Sequence, residues 1–263
     1  MPDLFKGLER FGLDSYKDVS LYEKETKDDK GENSKEEKKI NPEDYLYDKK
    51  YECPVCGAEV SATTVRTTKL RLVKEGFDFR KYYEPIDPLL YDVVICGKCG
   101  YSALQRDFNK LRDSQVDLIK KNITPKFQPA EYPRILDVPS AIERYQLALL
   151  NAIVKNARSS EKAYICLKMG WLYRENGDAD SEKGCFKEAY TGFSAALAKE
   201  QTPIYGVFDE STVTYFLAVC CYVTGDIDMS RQILSKLIVS RNVPPKLRER
   251  ARELKDLLQS GGV

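Results

Sequence analysis

Two short cysteine pairs constrain this chain more than any other feature. Cys53 and Cys56 fall in CPVCG, and Cys96 and Cys99 fall in CGKCG. Thiolates three positions apart in a tight turn point at one metal ion, and two such pairs complete a tetrahedral zinc shell. The glycine after each pair, Gly57 or Gly100, lets backbone N–H groups turn toward the sulfurs. With all four coordination positions filled by protein, none remains for water or substrate. The spacing therefore predicts structural rather than catalytic zinc.

Histidine is absent from the 263 residues. That excludes Ser-His-Asp and Cys-His catalysis and any zinc site with imidazole ligands. Eight cysteines beside an N-terminus lacking the basic-then-apolar order of an export signal predict a reducing, cytoplasmic setting. The formal net charge of +1 gives no global pull toward nucleic acid or membrane. No run approaches the ~20 apolar residues of a transmembrane helix.

Along the chain, residues 1–22 hold a short amphipathic segment with Leu4, Phe5, Leu8 and Phe11 on one helical face. Residues 23–50 read as a charged, disordered linker. Its first seventeen positions carry seven acidic and six basic side chains and no aliphatic or aromatic one. Residues 51–121 form the zinc ribbon with a flanking helix. Val60–Val73 and Leu89–Ile95 supply its β-rich runs, and GFDFRKYYEPIDP reads as an inserted loop. Pro125, Pro129, Pro133 and Pro139 mark a linker over 122–139. From 140 to 263 the period is helical. Ser140 starts the first helix with Glu143 completing a capping box, and Ile142, Tyr145, Leu149 and Ile153 form its stripe. Further helices are predicted over 160–176, 179–199, 210–224, 228–240 and 246–259. The fold class is α+β, a small β-rich ribbon followed by an all-α half.

The helical half repeats itself. Gly177-Asp178 aligns with Gly225-Asp226, and a small residue precedes each glycine by seven, Gly170 or Ala218. Ala189, Phe193 and Ala196 then serve one unit, and Ser230, Leu234 and Leu237 the next. Ala141, Tyr145 and Ala148 give the same second-helix pattern again. This spacing resembles tetratricopeptide repeats, which leave a concave groove on their first helices. By that resemblance Tyr164, Lys168, Trp171, Arg174, Thr212, Tyr215 and Tyr222 lie at the groove. Tyrosine, tryptophan and arginine are enriched at binding hot spots. The competing reading for each aromatic is core packing.

The ribbon offers a second surface. Lys69, Arg71, Lys74, Arg80 and Lys81 stand beside Phe77, Phe79, Tyr82 and Tyr83, and cations interleaved with aromatics suit single-stranded nucleic acid. Asp78, Asp87, Asp92 and Glu84 are the carboxylates near the ribbon, and Asp87-Pro88 and Gly76-Phe77-Asp78 read as turn chemistry rather than catalysis. Cys166, Cys185, Cys220 and Cys221 read as core packing, because their spacings make no second metal site.

The blocks GLERFGL, YLYDKKYECPVCG, KLRLV, DPLLYDVVICGKCGYSAL, AIERYQLALLNA and EKAYICLKMGWLYRE occur in this order across most of the chain. Together they resemble the bacterial "domain of unknown function 2225" family. The resemblance implies zinc and helical repeats and no particular activity. The expectation is a non-enzymatic zinc-binding adaptor that docks a protein or peptide in the helical groove. A nucleic-acid-binding regulator is the alternative, and a thiol redox sensor a further one. Replacing Cys96 with serine should unfold the ribbon and spare most helicity.

Overall fold

The computed structural model describes residues 41–259. A hairpin carries the first cysteine pair at its tip. β1 (Leu46–Glu52) runs into CPVCG and returns as β2 (Glu59–Val65), pairing Leu46 with Val65 and Glu52 with Glu59. Strand β1 starts inside the stretch 23–50 expected to be linker. Its charged residues Asp48, Lys49 and Lys50 are exposed, while Leu46 and Tyr51, on opposite faces near its two ends, are buried in separate cores and hold the strand. The segment 1–22 and residues 23–40 lie outside the described residues.

Between the cysteine pairs the insertion is itself a hairpin. β3 (Arg71–Glu75) and β4 (Lys81–Glu84) pair Leu72 with Tyr83 and Lys74 with Tyr82. Of the expected loop 76–88, residues 76–80 form the turn. Tyr82 and Tyr83, good strand formers, extend the ladder instead. The second cysteine pair joins β5 (Val93–Ile95) to β6 (Ser102–Leu104).

Seven helices follow: α1 (Asp113–Asn122), α2 (Val138–Val154), α3 (Ser159–Glu175), α4 (Ala179–Lys199), α5 (Glu210–Thr224), α6 (Ile227–Val239) and α7 (Pro245–Gln259). From α2 onward each packs on the next in chain order. Aspartates cap four of them. Asp137, Asp178, Asp209 and Asp226 each accept a hydrogen bond from the backbone N–H three residues on. The cap of α2 is therefore Asp137, not Ser140. Pro139 sits in the first turn, where its missing N–H costs nothing. The inward face of α2 is also rotated from the predicted stripe. Ala141, Ile142, Tyr145, Ala148, Asn151 and Ala152 are buried, whereas Ile153 is 53% exposed. The small and bulky residues that marked the repeat are inside. Ala189, Phe193, Ala196, Ala218, Ser230 and Leu234 are fully buried, and a Cβ on Gly170 would stand 2.6 Å from the Phe186 ring.

The described residues form one compact unit. One core contains Leu89, Val93 and Leu104 of the ribbon together with the inner faces of α2–α7. A second core holds the cysteine cluster with Val94, Tyr101, Phe108 and Ile119. Strand β5 lies between them, Val93 facing one and Val94 the other, both with no exposed surface. The proline-bearing stretch 122–139 is pinned at both ends by buried Ile123 and Leu136. No helix among the described residues is long and apolar enough to cross a membrane.

Candidate functional site

The two cysteine turns are built alike. In each, the glycine N–H donates to the carbonyl of the first cysteine, Gly57 to Cys53 at 2.8 Å and Gly100 to Cys96 at 2.9 Å. The N–H of each first cysteine closes the turn, Cys53 onto the Ala58 carbonyl and Cys96 onto that of Tyr101. Both glycines have positive φ, 68° and 75°, which L side chains rarely adopt. The backbone N–H groups of Val55 and Cys56 then face the Cys53 sulfur, and those of Lys98 and Cys99 face the Cys96 sulfur.

This places all four sulfurs within 4.8 Å of one another. Cys53 and Cys99 Sγ are 3.6 Å apart, as are Cys56 and Cys96 Sγ. A tetrahedron with Zn–S near 2.3 Å has edges of about 3.8 Å, so the donor set fits zinc in type and size. In the metal-free cluster, burial and the Cys53–Cys99 hydrogen bond set which sulfurs keep their protons. The Cys53 thiol is drawn down to about 5, chiefly by the hydrogen bond from Cys99, which in turn holds its own proton well above the usual thiol range. Burial pushes Cys96 up as well. A dication at the centre reverses this, because thiolate ligands bind it only after losing their protons.

The two glycines are not equivalent. A Cβ on Gly57 meets nothing within 4 Å, whereas one on Gly100 would lie 2.4 Å from Cγ of Phe127. Gly57→Ala carries only the cost of a positive φ, about 1–2 kcal/mol. Gly100→Ala adds a clash, so its urea midpoint is expected to fall clearly below that of Gly57→Ala. Equal midpoints would contradict the close approach of Phe127. Gly100 is also tied to the helices, since Asn151 Nδ2 of α2 donates to its carbonyl at 3.1 Å and to Ser102 Oγ at 3.0 Å.

The helical face expected as an open groove is partly covered by the ribbon's own insertion. The turn 76–80 lies on α3, α5 and α7. Phe77 packs edge-on against Tyr222, and Phe79 against Tyr215 and Phe216. Tyr215 donates its hydroxyl to the Phe77 carbonyl at 2.7 Å. Asp78, fully buried, accepts from Arg174 Nη1 at 2.6 Å. Arg174 Nε reaches Glu182 at 2.6 Å. Arg80 Nε donates to Glu175 at 2.9 Å, and its other nitrogens meet Asp87. Arg250 of α7 donates to the Gly76 carbonyl at 3.1 Å and stands over the Phe79 ring. Arg174, Tyr215 and Tyr222 are thus partners of this turn rather than an open binding surface. Tyr164, Lys168, Trp171 and Thr212 line what remains, a cleft of about 620 Å³ beside the turn. Lys168 is ion-paired to Asp92 there. The Trp171 indole N–H is buried with no hydrogen-bond acceptor.

The set expected for nucleic acid divides in the same way. Lys69, Arg71, Lys74 and Lys81 are exposed, but Arg80 is 2% exposed and paired with two carboxylates. Phe77 and Phe79 face the helices and are not available to stack on bases. Asp87 does serve turn chemistry, accepting from the Leu89 N–H at 2.9 Å, while Asp78, Asp87 and Asp92 also act as counter-ions. Sequence reasoning missed Asp78, Glu175, Glu182 and Arg250 as members of one network. The available signal was Asp78 itself, an acid between two phenylalanines and the wrong charge for a phosphate-binding loop. Burial pushes the Cys166 thiol up to about 12 and the Cys185 and Cys221 thiols up to about 11, as befits inert packing residues.

Residues 46–258 match the family described as an uncharacterised protein conserved in bacteria, domain of unknown function 2225. No curated protein and no solved structure matches the chain.

Proposed function

The chain belongs to that bacterial family of domain of unknown function 2225, and we propose that it is a non-enzymatic, cytoplasmic adaptor. Zinc held by Cys53, Cys56, Cys96 and Cys99 is structural in this reading. It fixes the ribbon, and the ribbon in turn closes one side of a tetratricopeptide-like helical array. The partner is a peptide segment of another protein. It lies in the cleft beside the inserted turn, against Tyr83, Tyr164, Trp171 and Phe208.

One observation supports a peptide over a polyanion. The lining of this cleft carries as many carboxylates (Glu75, Asp87, Asp92) as cations (Arg80, Lys81, Lys168), with Lys168 paired to Asp92 and Arg80 to Asp87 and Glu175. Recognition there falls to aromatic side chains and backbone hydrogen bonds. Phosphate binding would need cations in excess.

A pull-down of tagged protein from its native cytosol tests this, split into nuclease-treated and untreated halves and repeated with Thr212→Trp, which fills the cleft. The expected result is a protein partner that survives nuclease and is recovered about tenfold less with the variant, a loss of ~1.4 kcal/mol. Partners lost on nuclease treatment and kept by Thr212→Trp would move the function to the exposed cations Lys69, Arg71, Lys74 and Lys81.

A further inference from the structure

A second cleft, of about 610 Å³, lies between β2, the end of β5, the stretch 126–136 and α2. Pockets that enclose small molecules commonly span ~300–1,000 Å³. Its walls are apolar where Ile95, Phe127, Leu136, Leu147 and Leu150 meet, and Leu150 is 48% exposed. Three cations line it, Lys126, Arg134 and Arg144, and no aspartate or glutamate does.

The state of these cations differs. Lys126 is at the exposed rim. Arg134 is neutralised by Asp48, its Nη1 lying 3.0 Å from both carboxylate oxygens. Arg144 has no ion-pair partner among the described residues. Its Nη2 donates to the Val93 carbonyl at 2.5 Å, its guanidinium stands 5.3 Å from the Tyr132 ring centre, and its buried Nε has no acceptor. Burial lowers its affinity for its proton, and the neighbours that offset this are tyrosines rather than carboxylates. Four other cations at least partly withdrawn from water are matched by acids. Arg80 meets Asp87 and Glu175, Lys155 meets Glu161, Lys168 meets Asp92, and Arg174 meets Asp78 and Glu182. A buried charge left without a counter-ion is costly, and this one faces a cleft lined by no carboxylate.

We propose that this cleft binds a small organic anion, a carboxylate or phosphate head on an apolar body, with Arg144 as its counter-ion. The head sits against the guanidinium and Tyr132. The body lies along Phe127, Leu147 and Leu150, and Lys126 adds attraction from the rim. Arginine suits this role because its planar fork matches both head groups.

The test uses the full-length, zinc-loaded chain and two fluorescent probes. 8-Anilinonaphthalene-1-sulfonate carries an anionic head, and N-phenyl-1-naphthylamine has the same rings without it. The sulfonate is expected to bind once per chain and to weaken at least about tenfold in Arg144→Gln, while the neutral probe changes by less than about twofold. Octanoate and octyl phosphate should displace the sulfonate where octanol does not, and the stronger of the two identifies the head group. Leu150→Glu, at a half-exposed position outside the core, guards against a folding defect in Arg144→Gln. It should weaken the sulfonate more than the neutral probe, since both lose the Leu150 contact and the sulfonate alone meets charge repulsion. Unchanged sulfonate binding in both variants would overturn the proposal. So would equal loss of both probes, or displacement by octanol as strong as by the anions.

Discussion

Cys96→Ser is expected to unfold far more than the ribbon. Four-thiolate zinc contributes ~10–16 kcal/mol of apparent binding free energy in small sites, whereas whole domains are stable by only ~5–15 kcal/mol. Read from sequence, that loss should stop at the ribbon and spare the helices. The shared core changes the expectation. Val94 and Tyr101 pack around the cysteines, and Val93, the next residue along β5, packs among the helices. When the cysteine turns open, β5 loses its partner strand and its place between the two cores. The turn 76–80, which covers α3 and α5, is tethered to the same ribbon. Zinc content by mass spectrometry should fall well below one per chain. Near-UV circular dichroism should collapse, and far-UV helical signal should fall with it rather than persist. A zinc-free variant that keeps native near-UV signal would show that the metal is dispensable and the shared core self-sufficient.

Arg80→Met is the next largest expected effect, and it comes from a residue that sequence placed on a nucleic-acid surface. The Arg80 side chain is 3% exposed and serves both Asp87 and Glu175. Methionine keeps much of the volume but leaves two part-buried carboxylates, Asp87 and Glu175, without their cation. Removing one member of a buried pair costs about 3–5 kcal/mol, so the urea midpoint of the zinc-loaded protein should drop by a large fraction of its value. Lys81→Met, one residue on and exposed, should move the midpoint by no more than about 0.5 kcal/mol. Similar midpoints for the two variants would mean that the inserted turn contributes little to holding the molecule together.

What sequence could foresee follows the range of the interactions. Helix α4 spans the predicted 179–199 and α5 the predicted 210–224. Their limits are set by local chemistry: an aspartate cap at each start, and Gly177 or Gly225 in the preceding or closing turn. The cluster of four cysteines was legible because two four-residue motifs specify it, whatever separates them. The docking of the inserted turn was not. Tyr215 reaches the Phe77 carbonyl across 138 positions, and no periodicity within either segment records that meeting. For the same reason Arg174, Tyr215 and Tyr222 read as groove residues. Their spacing on the helix gave the correct face, but spacing is silent on what covers it. The strand β1 was hidden by its exposed Asp48-Lys49-Lys50, which look like linker composition although Leu46 and Tyr51 on either side of them are buried. The cation left unmatched at Arg144 was equally invisible, since a missing counter-ion is a property of the assembled surroundings.

The inserted turn has one further consequence, best expressed as competition. Because residues 76–80 are held by strands anchored in the ribbon, they meet α3 and α5 as a tethered ligand. For short flexible tethers the local concentration is on the order of millimolar, and a two-stranded anchor confines the tip further. A free peptide seeking the covered part of the helical face must displace a competitor at that level. Weak, promiscuous binders are thereby screened out, and the uncovered cleft beside the turn becomes the site of least resistance.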